Sequence, residues 1–247
     1  MEKKFNLETT SFFLHIIAMI FMFCDHLWGT IISGNDWLTC IGRLAFPIFA
    51  FLTVEGYFHT KNFKKYMQRL LIFALITEIP FNLAIGGNFL YPFHQNVLWT
   101  FLIALTAIHL LEKIKNKKIW LKILLGFLVI ALSCVISLLT MVDYYHYGLL
   151  TVLIFYFFRG NKWWNYLGQF ICLWYLNVEM MGGLYYEVEL FNKIFEISQQ
   201  GLALFALIPI WLYKGKQGPY NKIIKYIYYT FYPVHLLILA IIGFFIL

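Results

Sequence analysis

Ionisable side chains interrupt the apolar stretches of this sequence where lipid contact would be expected. Asp25 and His26 are neighbours in one stretch, together with His15. Arg43 and Glu55 share the next, Arg69, Glu78 and Asn82 a third, and His235 lies in the last. A charge at the centre of a membrane helix costs about 2.5–3.5 kcal/mol on insertion scales, so each such residue is a functional candidate. A carboxylate beside an imidazole raises the basicity of the ring and fixes its tautomer, which a general base requires. Adjacent helical residues project about 100° apart, so the alternative is that Asp25 and His26 bind different partners. Arg43 has a structural reading as the counter-ion of Glu78 or Asp25, Arg69 one as a snorkelling cation, and His15 one as a packed core histidine.

Depth sorts these residues. At about 1.5 Å per residue, His26 lies roughly 22 Å beyond Ser11 and His235 roughly 20 Å beyond Lys222, so the two histidines can share one level. Arg43 and Glu78 fall near it and Glu55 lies closer to the basic side. Asn221, Lys225, Tyr228, Tyr232 and His235 recur at spacings of four, three, four and three, which is one helical stripe. Such a stripe suits a channel for a long anionic ligand, with Lys222 and Lys225 receiving phosphate. Pro80 frees the carbonyl of Ile76 and is expected to kink its helix beside Glu78 and Asn82.

The elements that must position these groups are membrane helices. Of 247 residues 62% are hydrophobic and only 13% charged, which excludes a soluble fold, and the 26 Phe, 17 Tyr and 8 Trp suit bilayer contact and its interfaces. The net charge of +7 sits in short clusters between apolar runs, so it describes topology rather than nucleic-acid binding. The four cysteines have no metal-ligand spacing and suggest neither a disulfide framework nor a zinc site. Cutting at polar interruptions gives an all-α, polytopic bundle with one transmembrane domain over residues 1–247. About nine spans are expected: 11–32, 38–58, 66–85, 96–111, 119–142, 147–158, 163–178, 200–213 and 222–246, with the segment 179–199 as a loop. Sixteen of the nineteen basic residues, including Lys3 and Lys4, then fall on one side. The positive-inside rule makes that side cytoplasmic, with the amino terminus inside and the carboxyl terminus outside. The first span is too long for a signal peptide and lacks a cleavage site. The opposite side carries Asn35, Asp36, Asn88, His94, Asp143, His146, Glu179, Glu187, Glu189 and Glu196, an acidic surroundings for a cationic acceptor or an ordinary set of hydrated loop residues.

Three segments, MIFMFCDHLWG (19–29), IGRLAFPIFAFLTVEGYFHTKNFKKYMQRLLIFALITEIPFNLAI (41–85) and YYTFYPVHLL (228–237), resemble the TraX family of bacterial membrane proteins. The resemblance is close over the first ninety or so residues and in the last span, and looser between. It implies a multi-pass protein of the bacterial cytoplasmic membrane and, through the family's association with N-acetylation of pilin, acyl transfer. The donor would be acetyl-CoA, with no metal. The acceptor would be a protein amino-terminal amine or a cell-surface sugar. In that chemistry His26 is the expected general base with Asp25 charging its ring, and Arg43, Tyr232 or His235 stabilises the oxyanion; a route through acetyl-histidine is the alternative. Arg69, Lys222, Lys225, Tyr228 and Glu55 are expected on the CoA side, and Glu78, Asn82 and Asn96 on the acceptor side. The competing function is a proton-coupled transporter or flippase, although no pair of repeated halves is visible.

Overall fold

Side-chain caps and prolines cut the apolar sequence into helices. In the computed structural model, which describes residues 9–190 and 193–246, α1 spans Ser11–Thr30, α2 Trp37–Gly42, α3 Ala45–His59, α4 Phe63–Gly86 and α5 Val97–Ile114. They are followed by α6 Ile119–Leu139, α7 Tyr145–Phe157, α8 Trp163–Trp174, α9 Leu207–Trp211 and α10 Lys222–Ile246. Lys3 and Lys4 lie outside the described residues. Thr10 caps α1 by accepting from the Phe13 amide at 3.2 Å, and Asn62 caps α4 by accepting from Lys65 at 2.9 Å. Gly87 closes α4 at φ 67°, a left-handed geometry that glycine adopts without a Cβ penalty.

Six stretches are long and apolar enough to cross a membrane: α1, residues Trp37–His59 with α2 and α3 taken together, α4, α5, α6 and α10. The other three expected spans are helical but short. They are α7, α8 with its π-helical continuation Tyr175–Met180, and a 3₁₀ segment Gln200–Ala206 that runs into α9. The 13 residues of α7 rise only roughly 20 Å, against about 30 Å of hydrocarbon. They are apolar because they form the middle of the core, with Leu149 and Val152 fully buried. By length and composition six of the nine expected spans can therefore cross a membrane, and the other three are among the shortest of the nine in the sequence as well. The all-α architecture holds, with one addition: β1 Tyr185–Leu190 and β2 Lys193–Ser198 pair antiparallel inside the expected loop. Alternation of Glu187 and Glu189 with Tyr186 and Val188 is the period-2 signal of that hairpin.

The polar residues also follow from local backbone rules. Pro47 has no amide hydrogen to donate to the carbonyl of Arg43, and the chain breaks there between α2 and α3. Gly42 lets α2 come against α1, because a Cβ at that position would overlap the Asp25 side chain. Pro80 does not interrupt α4, nor Pro233 α10. The start of α1 is held by the segment before α10: the amides of Thr9, Ser11 and Phe12 donate to the carbonyls of Leu212, Lys216 and Gln217 at 2.9–3.1 Å. Helix α1 packs on α2, α3 and α10, and α10 lies along α4. A core of Leu14, Ile48, Leu105, Ile108, Leu149, Phe155 and Leu207 joins α1, α3, α5, α7 and α9. Helix α6 is its opposite, with Phe127 at 69% and Leu139 at 76% exposure, the surface expected against lipid.

Candidate functional site

The close approach of α2 to α1 brings Arg43 onto Asp25 in a short ion pair. Thr39 donates to the same carboxylate oxygen at 2.7 Å, and Arg43 Nη2 also donates to the Thr39 hydroxyl at 3.0 Å. Arg43 Nη1 reaches Gln200 Oε1 at 3.4 Å. Gln200 donates onward to Asn177 Oδ1 at 2.9 Å, and Asn177 donates to the Leu173 carbonyl at 2.8 Å. The π-helical turn thus supports a guanidinium two contacts away. Of the two counter-ions open to Arg43 in the sequence, the fold chooses Asp25. That choice corrects the expected Asp25–His26 partnership: the carboxylate is committed to Arg43 and Thr39.

The partner of His26 is another histidine. His235 Nδ1 lies 2.7 Å from the Phe231 carbonyl, which can only accept, so that nitrogen carries the hydrogen. In the neutral ring His235 Nε2 is then an acceptor. It lies 2.6 Å from His26 Nδ1, which must be the donor. The chain of bonds leaves a lone pair on His26 Nε2, and no hydrogen bond to that atom occurs among the described residues. Orientation of one imidazole by a second fixed group is the arrangement a base needs. The two rings stack at 4.9 Å and 5°, confirming that α1 and α10 bring them to one level. His235 has both nitrogens engaged, which removes it from the oxyanion donors. Tyr232, 6.0 Å from the His26 ring, is 6% exposed, and its buried hydroxyl makes no hydrogen bond of ordinary geometry.

Asp25, His26, Arg43 and Tyr232 line one cavity of about 240 Å³ at the end of the bundle away from the basic loops. The same wall holds His94 and Asp143, which read in the sequence only as outer loop residues, and Tyr144, which the sequence does not single out. His94 and Asp143 pair at 3.1 Å, and this hydrogen bond to the carboxylate holds the imidazole above the usual histidine pKa. A backbone bridge between Gln95 and Val142 aligns their two loops, and no local motif announces it. The expected acceptor-side residues lie outside this cavity. Glu78 Oε2 accepts from Asn96 at 2.5 Å and from Trp99 at 2.8 Å, and Asn96 also caps α5 through Leu98. Asn82 donates to the Phe89 carbonyl at 3.2 Å. Together they fasten α4 to α5 and to the loop between them.

A second cavity of about 520 Å³ opens among the basic loops. Its mouth includes Thr60, Gly215, Gln217 and Tyr220; Arg69, Lys225, Tyr228 and Glu55 from the expected CoA side line it, whereas Lys222 is exposed and outside. Arg69 Nε and the Tyr228 hydroxyl are buried without hydrogen-bond partners among the described residues. Tyr228 stacks on His15 at 4.1 Å, and His15 Nδ1 donates to the Ser11 carbonyl at 2.7 Å. Glu55 is occupied by Arg159, with contacts of 2.6 and 3.4 Å, while the guanidinium lies 4.3 Å from the Phe58 ring centroid. Arg159 stands in the sequence as a loop cation, and only the fold pairs it. The two cavities share Met22, Phe49, Val97, Phe101 and Tyr232.

Residues 11–243 match the family described as TraX protein. The "Probable fimbrial assembly protein FimC, serogroup H1" of Dichelobacter nodosus is 30% identical over 254 residues, covering 95% of this chain and 96% of that protein. No solved structure matches the chain.

Proposed function

This chain is a member of the TraX family, and on that membership and the geometry above we propose that it is a membrane-bound acetyltransferase. It moves the acetyl group of acetyl-CoA, taken up among the basic loops, to an amine or hydroxyl that enters from the opposite end. With the basic loops cytoplasmic, as the positive-inside rule has them, the donor comes from the cytoplasm and the acceptor from outside. The observation that carries the reading is the relay from the Phe231 carbonyl through His235 to His26. It leaves the Nε2 lone pair of His26 free in one cavity, and that cavity abuts a second with buried, unpartnered donors.

The acceptor nitrogen or oxygen attacks the thioester carbonyl carbon, its proton passes to His26 Nε2, and the carbonyl electrons move onto oxygen. Arg43 and the Tyr232 hydroxyl supply donors to that oxyanion. Collapse breaks the carbon–sulfur bond, and the departing thiolate takes the proton from His26. On the donor side, Arg69 and Lys225 suit the phosphates, and the aromatic lining suits the pantetheine arm. The word "fimbrial" in the relative's name favours the processed amino terminus of a surface-fibre subunit as acceptor. A proton-coupled carrier would need exchangeable carboxylates along its path. Asp25 is paired with Arg43 and Glu55 with Arg159, which favours the transferase.

Calorimetry on the protein purified in detergent tests this, with acetyl-CoA measured against free CoA and ATP in the wild type and in His26→Ala. Micromolar binding selective for acetyl-CoA, unchanged in His26→Ala but without transfer to an amine peptide, is expected. Absence of acetyl-CoA binding by the wild type would overturn the proposal.

A further inference from the structure

Four helices converge where the two cavities meet. Met22 comes from α1, Phe49 from α3, Val97 and Phe101 from successive turns of one face of α5, and Tyr232 from α10. These are the residues common to both linings, so they form the wall between the donor cavity and His26, and the shortest path from one to the other runs between them. Met22, Phe101 and Tyr232 are each under 10% exposed, and Phe49 and Val97 are half-buried. The ring is almost wholly apolar, and three of its five side chains are aromatic, with few rotamers and large volume. Met22 and Tyr232 also pack in one cluster with Ala45, Phe81 and Leu236, so they are supported from behind. A constriction of this kind does not bind the polar body of the donor. It meets only the acyl end.

We propose that Met22, Phe49, Val97 and Phe101, closed by Tyr232, form an aperture that sets acyl-chain length, admitting a two- or three-carbon acyl group to the level of His26 and turning longer chains back into the donor cavity. This rests on the acyl-transfer reading. On it, the basic and aromatic residues of the large cavity recognise the CoA body in common for every donor. The packed ring discriminates among donors by steric fit, where a single methylene is worth about 10–200-fold. The flexible thioether of Met22 is the member whose shortening widens the opening with least disturbance to the rest.

The test is a binding ladder of acetyl-, butanoyl- and hexanoyl-CoA on the full chain in detergent, which needs no acceptor. The wild type is expected to bind acetyl-CoA at least tenfold more tightly than hexanoyl-CoA. In Met22→Ala the ratio should fall to about one, with affinity for free CoA unchanged. Phe49→Leu, a milder change in volume, should move the ratio in the same direction by a smaller factor. Thermal melts and gel filtration identify the variants that fold. If folded Met22→Ala and Phe49→Leu keep the wild-type ratio, or if the wild type binds hexanoyl-CoA as tightly as acetyl-CoA, the aperture is overturned while the transferase reading stands. If the wild type binds no acyl-CoA at all, both fall together.

Discussion

The two cavities differ in how their polar groups are satisfied. At the end away from the basic loops, Asp25 is matched by Arg43 and Thr39, Asp143 by His94, and each ring of the histidine pair by a fixed partner. In the cavity among the basic loops, Arg69 Nε and the Tyr228 hydroxyl are buried with no partner among the described residues, and the unpartnered Tyr232 hydroxyl lies on the wall that both cavities share. An unmet buried donor costs about 1–3 kcal/mol, and on the proposed function the bound donor substrate meets it. The first is already organised, as a reacting centre must be if it is not to reorganise during the reaction. One chain thus holds a finished site and an unfinished one, joined by an apolar ring.

The largest test of that contrast is His26→Gln, which removes the base from the finished site and leaves the donor cavity intact. Acetyl transfer should fall by about 10²–10⁴-fold with acetyl-CoA affinity unchanged, measured by single-turnover assay beside calorimetry. Equal loss of both would erase the division of labour. His235→Phe keeps a stacked ring and removes the acceptor for His26 Nδ1. Loss of such an orienting partner typically costs 10–100-fold, and the pH–rate profile should shift because either tautomer of His26 becomes available. A purely structural role for His235 would lower protein yield and leave that profile in place.

Smaller effects sharpen the other side. Arg69→Met keeps the aliphatic bulk and deletes the unpartnered donor, so CoA should bind roughly tenfold more weakly, about 1.4 kcal/mol, with kcat at saturation unchanged. Titration of free CoA against both proteins measures it. The smallest effect concerns the His94–Asp143 pair. Its imidazole has a raised folded-state pKa, so its contribution to stability is complete below the unfolded value of about 6.5 and disappears as pH rises through the folded value. In His94→Gln, melting temperature should lose that part of its pH dependence, a change of under about 1 kcal/mol for a partly exposed pair. An unchanged pH profile of melting would show that the pair contributes nothing to stability.

The helical stretches and the identity of the polar candidates were legible in the sequence because hydropathy and charge are local properties. So was the level shared by His26 and His235, since helix rise is nearly constant. Composition leaves one ambiguity: α7 is apolar and buried in protein, and composition does not separate a core helix from a membrane one. The hairpin was missed because three glutamates in its segment outweighed their own alternation.

By itself, the sequence determined that this is a membrane protein of the TraX family with an intramembrane set of histidines, carboxylates and arginines. Only the tertiary structure decided who partners whom. It gave Asp25 to Arg43 rather than to His26, gave Glu55 to Arg159 across 104 residues, and gave His26 to His235 across 209. It also set Glu78, Asn82 and Asn96 to bracing α4 rather than lining a cavity. The reason is physical: residue type and spacing fix which face and depth a side chain occupies on its own helix. Which helix stands opposite depends on packing details such as Gly42 against Asp25 and the break at Pro47, whose consequences appear only once the helices are assembled.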